Sequence, residues 1–309
     1  MSQIPVATAR SRQRGHIDKL TIVIRWCCVN LLRPTWIVVL ALAAGCAPSL
    51  ATMQPAHVAP KGHMQVTTAV EVGIPTGTIG RIIDTGRTLS DIAQRDGMVT
   101  AEQERQLFDS GVTVAVSPPA FGYHFAAYYV PIDRLEVGLR YAGAGFRAGA
   151  RYQILRHETD PLDMTIGAGV ARSAYEIPLS SYIPILEIED FTRYTIDVPL
   201  QIGTSRTYYR VWGGPKVLYS HYSTALKVSL PSTPDLATFE GHTWYYGGQV
   251  GFAVGYKYVF VAFELTLARL SGRADVETAP DPRNNEPLVR NVDINGFIIY
   301  PAFGLIGEF

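Results

Sequence analysis

The last thirteen residues, Phe297-Ile-Ile-Tyr-Pro-Ala-Phe-Gly-Leu-Ile-Gly-Glu-Phe309, alternate with a period that suits an extended strand. Phe297, Ile299, Phe303, Leu305 and Phe309 fall on one face. Tyr300, Ala302, Gly304 and Glu308 fall on the other, with Ile298 and Ile306 as apolar exceptions. A segment greasy on one side and small or polar on the other must sit between two different environments, and this constrains the fold of the whole chain.

The same period recurs upstream. Met64–Ile74 sets Val66, Val70, Val72 and Ile74 against Gln65, Thr67, Ala69 and Glu71, and residues 120–130 give a weaker, aromatic-rich stretch. Leu135, Val137, Leu139 and Tyr141 oppose Arg134, Glu136, Gly138 and Arg140, while Phe146, Ala148, Ala150 and Tyr152 oppose Arg147, Gly149, Arg151 and Gln153. Met164, Ile166, Ala168 and Val170 oppose Asp163, Thr165, Gly167 and Gly169; Tyr194, Ile196 and Val198 oppose Arg193, Thr195 and Asp197. Further on, Tyr209, Val211, Val217 and Tyr219 oppose Arg210, Trp212 and Lys216. Two more follow, at residues 244–257 and 259–268, the latter with Val261, Phe263 and Leu265 opposite Ala262, Glu264 and Thr266. With the terminal segment this makes ten candidate strands. Pro199, Pro215 and Pro301 fit badly, since each removes a ladder hydrogen bond.

Composition agrees with strands and turns. The chain has 309 residues, 28 of them Gly and 17 Tyr, and no run of about 20 apolar residues follows residue 46, so the body has no membrane-crossing helix pattern. The mildly acidic body argues against nucleic-acid binding. Cysteine occurs only at Cys27, Cys28 and Cys46, which leaves the body without a disulfide framework or a cysteine metal site.

Alternation with one face wholly apolar, ending on an aromatic residue, resembles the bacterial outer-membrane β-barrels of Gram-negative cells. In lipid every backbone amide must be paired within the protein, so a spanning sheet must close, with apolar side chains outward and polar ones inward. The expected fold is all-β: an antiparallel transmembrane β-barrel of about ten strands over residues 64–309. A soluble sandwich or lipocalin-like barrel is the competing architecture, with the greasy face inside. Turns near 131–133, 157–161, 203–206 and 256–258 are short. Connections near 75–118, 173–191, 221–241 and 271–292 are expected to be long loops, and Ala142–Gly145 breaks that rule.

Residues 1–45 carry Arg10, Arg12, Arg14, Lys19, Arg25 and Arg33 against Asp18 alone, followed by an apolar run that meets Cys46. This is the build of an export signal, with a basic portion long for one. Leu42-Ala-Ala-Gly-Cys46 resembles a lipobox, with Ala43 where Leu is usual, and the resemblance implies lipidation of Cys46. The competing reading is a plain secretory signal or an uncleaved anchor. Residues 46–63, with Pro48, Pro55 and Pro60, read as an extended tether. Within the first long connection a helical insertion is expected at about 87–109. Thr88 or Ser90 would cap the first helix, and Thr100-Ala-Glu-Gln103 would open the second as a capping box. It would either plug the barrel, lie over its mouth or form an ordered surface loop. Gly77-Thr-Ile-Gly80 reads as a turn. Asp84, Asp91 and Asp96 lack the spacing of an EF-hand.

The lumen-facing charged set is Arg134, Glu136, Arg140, Arg147, Arg151, Asp163, Arg193, Asp197, Arg210, Lys216 and Glu264, with Glu71, Lys257 and Glu308 on the same pattern. In a narrow barrel such charges pair structurally, line a pore for small solutes, or shape a binding cavity. His221 and Ser223, with Asp235, Glu240 and His242 beyond, are the candidates for a hydroxyl nucleophile and its base. No phosphate-cradling glycine loop or HExxH motif occurs, so no cofactor or metal is expected. The expected partners are outer-membrane lipids and small solutes. A structural or small-solute barrel leads, ahead of a surface-facing hydrolase and an adhesion barrel presenting its loops.

Overall fold

The computed structural model describes residues 48–94, 101–143, 145–177, 186–228, 236–280 and 287–309; the expected export signal and Cys46 lie outside the described residues. Ten strands form: β1 (Met64–Pro75), β2 (Ala120–Ile132), β3 (Leu135–Ala142), β4 (Gly145–Leu155), β5 (Asp163–Ile177), β6 (Leu186–Ser205), β7 (Tyr209–Val228), β8 (Leu236–Tyr256), β9 (Val259–Pro280) and β10 (Pro287–Glu308). Each pairs antiparallel with its neighbours in sequence, and β1 pairs with β10 from Gln65↔Glu308 to Pro75↔Ile298, which closes the sheet.

The pleat sorts side chains as the period demands. Outward, Val261, Leu267, Phe303 and Leu305 are exposed; inward, Glu264, Thr266, Arg147 and Arg151 are buried. That sorting excludes a soluble sandwich. A closed sheet with a greasy exterior and an ionised interior is stable only where the surroundings are apolar. Tyr209, Tyr256, Tyr258 and Phe309 gather at the short-turn end, and Tyr194, Tyr219, Trp244 and Tyr246 lie farther along the outer wall. These positions suit the two aromatic girdles of a membrane barrel.

Each misfit proline is accommodated by giving up one neighbour. Pro199 keeps its register with Lys216 of β7, while the β5–β6 pairing skips it between Ile166↔Leu200 and Gly169↔Asp197. Pro215 pairs with Gly248, and Pro301 with Leu265; each is skipped on its other side without a change of register.

Four expectations are corrected. The long connections after β5, β7 and β9 are mostly strand. β6 to β10 run for 20 to 22 residues, against 8 to 13 for β1 to β4, so one wall stands much taller than the other. The helical insertion is also longer, with α1 at Thr76–Gln94 and α2 at Ala101–Val116. Gly77 lies in the first turn of α1 instead of a reverse turn, because that turn packs on the β10 backbone. A Cβ at Gly77 would meet the Asn295 carbonyl oxygen at 2.9 Å. Thr88 does not cap; its hydroxyl donates to the carbonyl of Asp84 one turn back, inside the helix.

Candidate functional site: an occupied lumen

Residues 48–59, a tether by their sequence, lie inside the barrel. Ser49 donates to Glu71 at 2.7 Å, partway up β1. Eight residues later His57 reaches Ser205 at 2.7 Å and Glu308 at 2.8 Å, at the short-turn end. The peptide therefore runs down the lumen antiparallel to β1. It reverses at Pro60–Gly62, where Gly62 adopts φ 86° and its N–H donates to the Val130 carbonyl at 2.9 Å.

The wall holds this peptide mainly by its backbone. Lys216 Nζ donates to the Leu50 carbonyl at 2.6 Å, and Arg140 donates to the Ala51 carbonyl. Glu264 accepts the N–H groups of Thr52 at 2.6 Å and Met53 at 2.9 Å, together with the Trp212 indole N–H at 3.0 Å. Gln201 donates to the Gln54 carbonyl at 2.8 Å, and Arg151 donates to the Pro55 carbonyl. Gln153 accepts the Val58 N–H at 3.2 Å. The peptide is largely buried, with small side chains at Ala51, Thr52 and Ala56, long apolar ones at Leu50 and Met53, and the Gln54 amide donating to Glu136 at 3.0 Å.

Among the described residues, six of the fourteen expected lumen charges pair with one another, and two more meet a histidine. Arg147 forms a two-pronged pair with Asp197 at 2.6 and 2.8 Å, and Arg151 does the same with Glu136 at 2.7 and 2.8 Å. Arg210 pairs with Glu308, and Asp163 with His157 at 3.0 Å. Glu71 meets His124 at 3.1 Å. Arg193 sits higher, donating to the Val116 carbonyl at 2.6 Å and lying over the rings of Phe191 and Tyr222, so that a cation closes the carboxy-terminal end of α2. Arg134 is not in the lumen. It occupies the β2–β3 turn with φ 68°, partly exposed, and donates to the Ile154 carbonyl; Lys257 is likewise a turn residue, with φ 55°.

Three buried ions, Arg140, Lys216 and Glu264, have no oppositely charged side-chain partner within salt-bridge distance among the described residues, and all three bond the peptide backbone. Burying a charge without a partner is costly, so the peptide backbone stands in for counter-ions. Above it the lumen turns apolar. Val112, Ala115 and Val116 of α2 join Phe191, Tyr222, Phe239, Ile294 and Ile298 in one buried cluster. Cavities of about 20 Å³ beside Pro48 and about 10 Å³ beside Gln54 remain, each with room for about one water.

His221 and Ser223 point outward from β7, on either side of the inward Tyr222. Successive outward positions on a strand lie about 7 Å apart, too far for direct proton transfer. His221 instead lies 3.5 Å from Glu240 on the neighbouring strand. Sequence reasoning missed the peptide itself and its partners Gln153, Gln201 and Trp212. Residues 48–59 carry no strand or helix period, and the only signal was their lack of Asp, Glu, Lys or Arg beside so charged a wall.

Closed sheet, greasy exterior and ionised interior define the class: a transmembrane β-barrel of the outer-membrane type. No protein-family model matches the chain, and no curated relative matches it. Among solved structures it is similar to the outer membrane protein OprG from Pseudomonas aeruginosa, at 12% identity and TM-score 0.35, covering 81% of this chain and 97% of that one. It is also similar to a major outer membrane protein from Thermus thermophilus, at 8% identity and TM-score 0.35, covering 80% and 99%. The outer membrane protease OmpT from Escherichia coli matches at 9% identity and TM-score 0.42, covering 84% and 100%. Likenesses this distant say nothing of what the chain does.

Proposed function

We propose that the chain is an outer-membrane barrel, shut at rest, that serves as a structural element and passes small solutes only when residues 48–59 leave the lumen. The observation that supports this is the occupied lumen: a peptide gripped by wall side chains along its whole length below, and α2 packed among aromatic side chains above. Membrane lipids are its partners along the outward face. Lipidation of Cys46 belongs to the same proposal and rests on Leu42–Cys46 alone; intact mass should fall by the acyl adduct in Cys46→Ser. Planar-bilayer recording tests the main reading. The intact protein should show no steady conductance, and Arg151→Ala, which frees the Pro55 carbonyl, should give transient openings. Steady discrete conductance from the intact protein would remove the reading.

The tall wall favours a second reading, an interaction barrel. The long strands β6 to β10 extend far on the side away from the short turns. Deleting residues 178–185, 229–235 and 281–286, which join β5 to β6, β7 to β8 and β9 to β10 in sequence, should then abolish adhesion while leaving the barrel folded.

A further inference from the structure

Side chains of Ser49, Thr52, Gln54 and His57 bond the wall, but residues 50–55 are also held through their main chain, in a pattern that any sequence could supply. Along the lumen, two cations take the carbonyls of residues 50 and 51, one carboxylate takes the N–H groups of 52 and 53, and an amide and a guanidinium take the carbonyls of 54 and 55. Six consecutive residues are thus read through their main chain. This is how grooves that accept extended peptides obtain affinity, leaving pockets to set specificity.

The wall also states which side chains it accepts. Leu50, Ala51, Thr52, Met53 and Ala56 are at most 1% exposed, so larger side chains would find no room at 51, 52 and 56, while long apolar side chains are seated at 50 and 53. Charge is refused as well: Pro48–Pro60 contains no Asp, Glu, Lys or Arg, although Arg140, Lys216 and Glu264 line its path. A mere filler would be better served by an apolar wall. Each of these three ions bonds the peptide main chain, and Glu264 also accepts the Trp212 indole N–H; an empty lumen would leave the two cations without those carbonyl acceptors.

We infer that the lower lumen is a peptide-binding channel. Residues 48–59 are its resident occupant in cis, and extended peptides without Asp, Glu, Lys or Arg and with small side chains at the positions of 51, 52 and 56 are the class it accepts in trans once the resident leaves. The inference rests on the reading of a lumen shut by this peptide, and goes beyond it by assigning the channel a ligand.

Two proteins test it: the full chain lacking residues 48–59, and the full chain carrying Thr52→Glu with Met53→Glu, which sets carboxylates against Glu264 and expels the resident. Each is refolded, and its barrel verified by the heat-dependent shift in gel mobility. Each is then titrated with a dye-labelled synthetic peptide of the sequence Pro48–Ala59. Saturable binding is expected, with the unlabelled peptide competing. Binding should weaken by about tenfold or more when Lys216→Met is added, since a charge-assisted hydrogen bond is lost. A peptide with Ala51→Trp should not bind. In bilayers the emptied barrel should conduct and the added peptide should close it. A folded, conducting barrel that ignores the peptide overturns the inference and leaves the shut-barrel reading standing. Steady conductance from the unaltered protein overturns the shut-barrel reading itself. Failure of both variants to form a barrel would make the peptide an obligate part of the core, and would equally overturn the inference.

Discussion

The lower and upper stretches of β9 and β10 are one continuous sheet with opposite polarity. In the lower stretch the outward residues are Val261, Phe263, Leu265, Leu267, Phe303 and Leu305, and the inward set includes Glu264, Thr266 and Glu308. In the upper stretch the outward residues are Arg273, Asp275, Asp293 and Asn291, and the inward ones are Leu270, Ala274, Val276, Val292 and Ile294. The pleat does not change; the solvent does. Below, the outside is lipid and the inside is ionic. Above, the outside is water, so the inside becomes an ordinary apolar core, capped by α2. The lumen fillers follow suit, a backbone-bonded peptide against ions and a helix with small apolar side chains against aromatics.

The most damaging single change should fall in the lower, ionic half. Asp197→Ala strands the Arg147 guanidinium in a dry lumen and should destabilise the barrel by about 3–5 kcal/mol, read from urea unfolding in detergent. Replacing both partners, Arg147→Met with Asp197→Leu, should recover most of that. If Asp197→Ala costs less than about 1 kcal/mol, the lower lumen is wet, and the contrast between the halves collapses.

Next comes the wall itself. Leu265→Arg, on the lower outward face, should cost about 2–4 kcal/mol in a bilayer, as a cation placed against acyl chains does. Asn291→Arg, on the same face of the neighbouring strand's upper stretch, should stay within about 0.5 kcal/mol. Equal costs at the two sites would erase the boundary between them.

That boundary also explains what is legible in the sequence. Period-two alternation in residues 64–74, 135–141 and 259–268 specifies strand and face, because one face of each is predominantly apolar. Beyond His221, His242 and Arg269 the same alternation continues with its sign reversed, so a greasy-outward pattern breaks off there and strand reads as loop. The peptide 48–59 is illegible for a different reason. It bonds through its backbone, which every sequence has, and its partners Lys216, Arg140 and Glu264 are far off in the chain. The candidate lumen charges are legible as a face, but their choice of partner is not. Arg134 falls outside the lumen because the alternation at that point runs one residue into a turn.

A smaller effect sits partway up the lower lumen. Gly149 and Gly169 face each other across β4 and β5, and the Arg147 guanidinium lies over both. A Cβ at Gly169 would meet that side chain at 2.2 Å. Gly169→Ala should therefore push Arg147 off Asp197 and cost about 1–3 kcal/mol, less than losing the carboxylate outright. If Gly169→Ala proves neutral, the guanidinium has room to move, and the lower half is looser than the upper.

The smallest effect belongs to neither half. In the turn between β4 and β5, Asp160 accepts the backbone N–H of Arg156 at 3.1 Å and the Thr159 hydroxyl at 2.9 Å, and the first of these chiefly holds its carboxyl below the ordinary range. A carboxyl depressed in the folded turn adds stability above its unfolded-state value, and that addition disappears as pH falls through the folded one. Asp160→Asn should therefore unfold slightly earlier than the parent at neutral pH, and the gap should close in acid, below the usual carboxylate range. A gap as large as that of Asp197→Ala would mean that this turn, exposed to water, matters as much as the dry ion pair, and burial would no longer separate the lumen from the rest of the molecule.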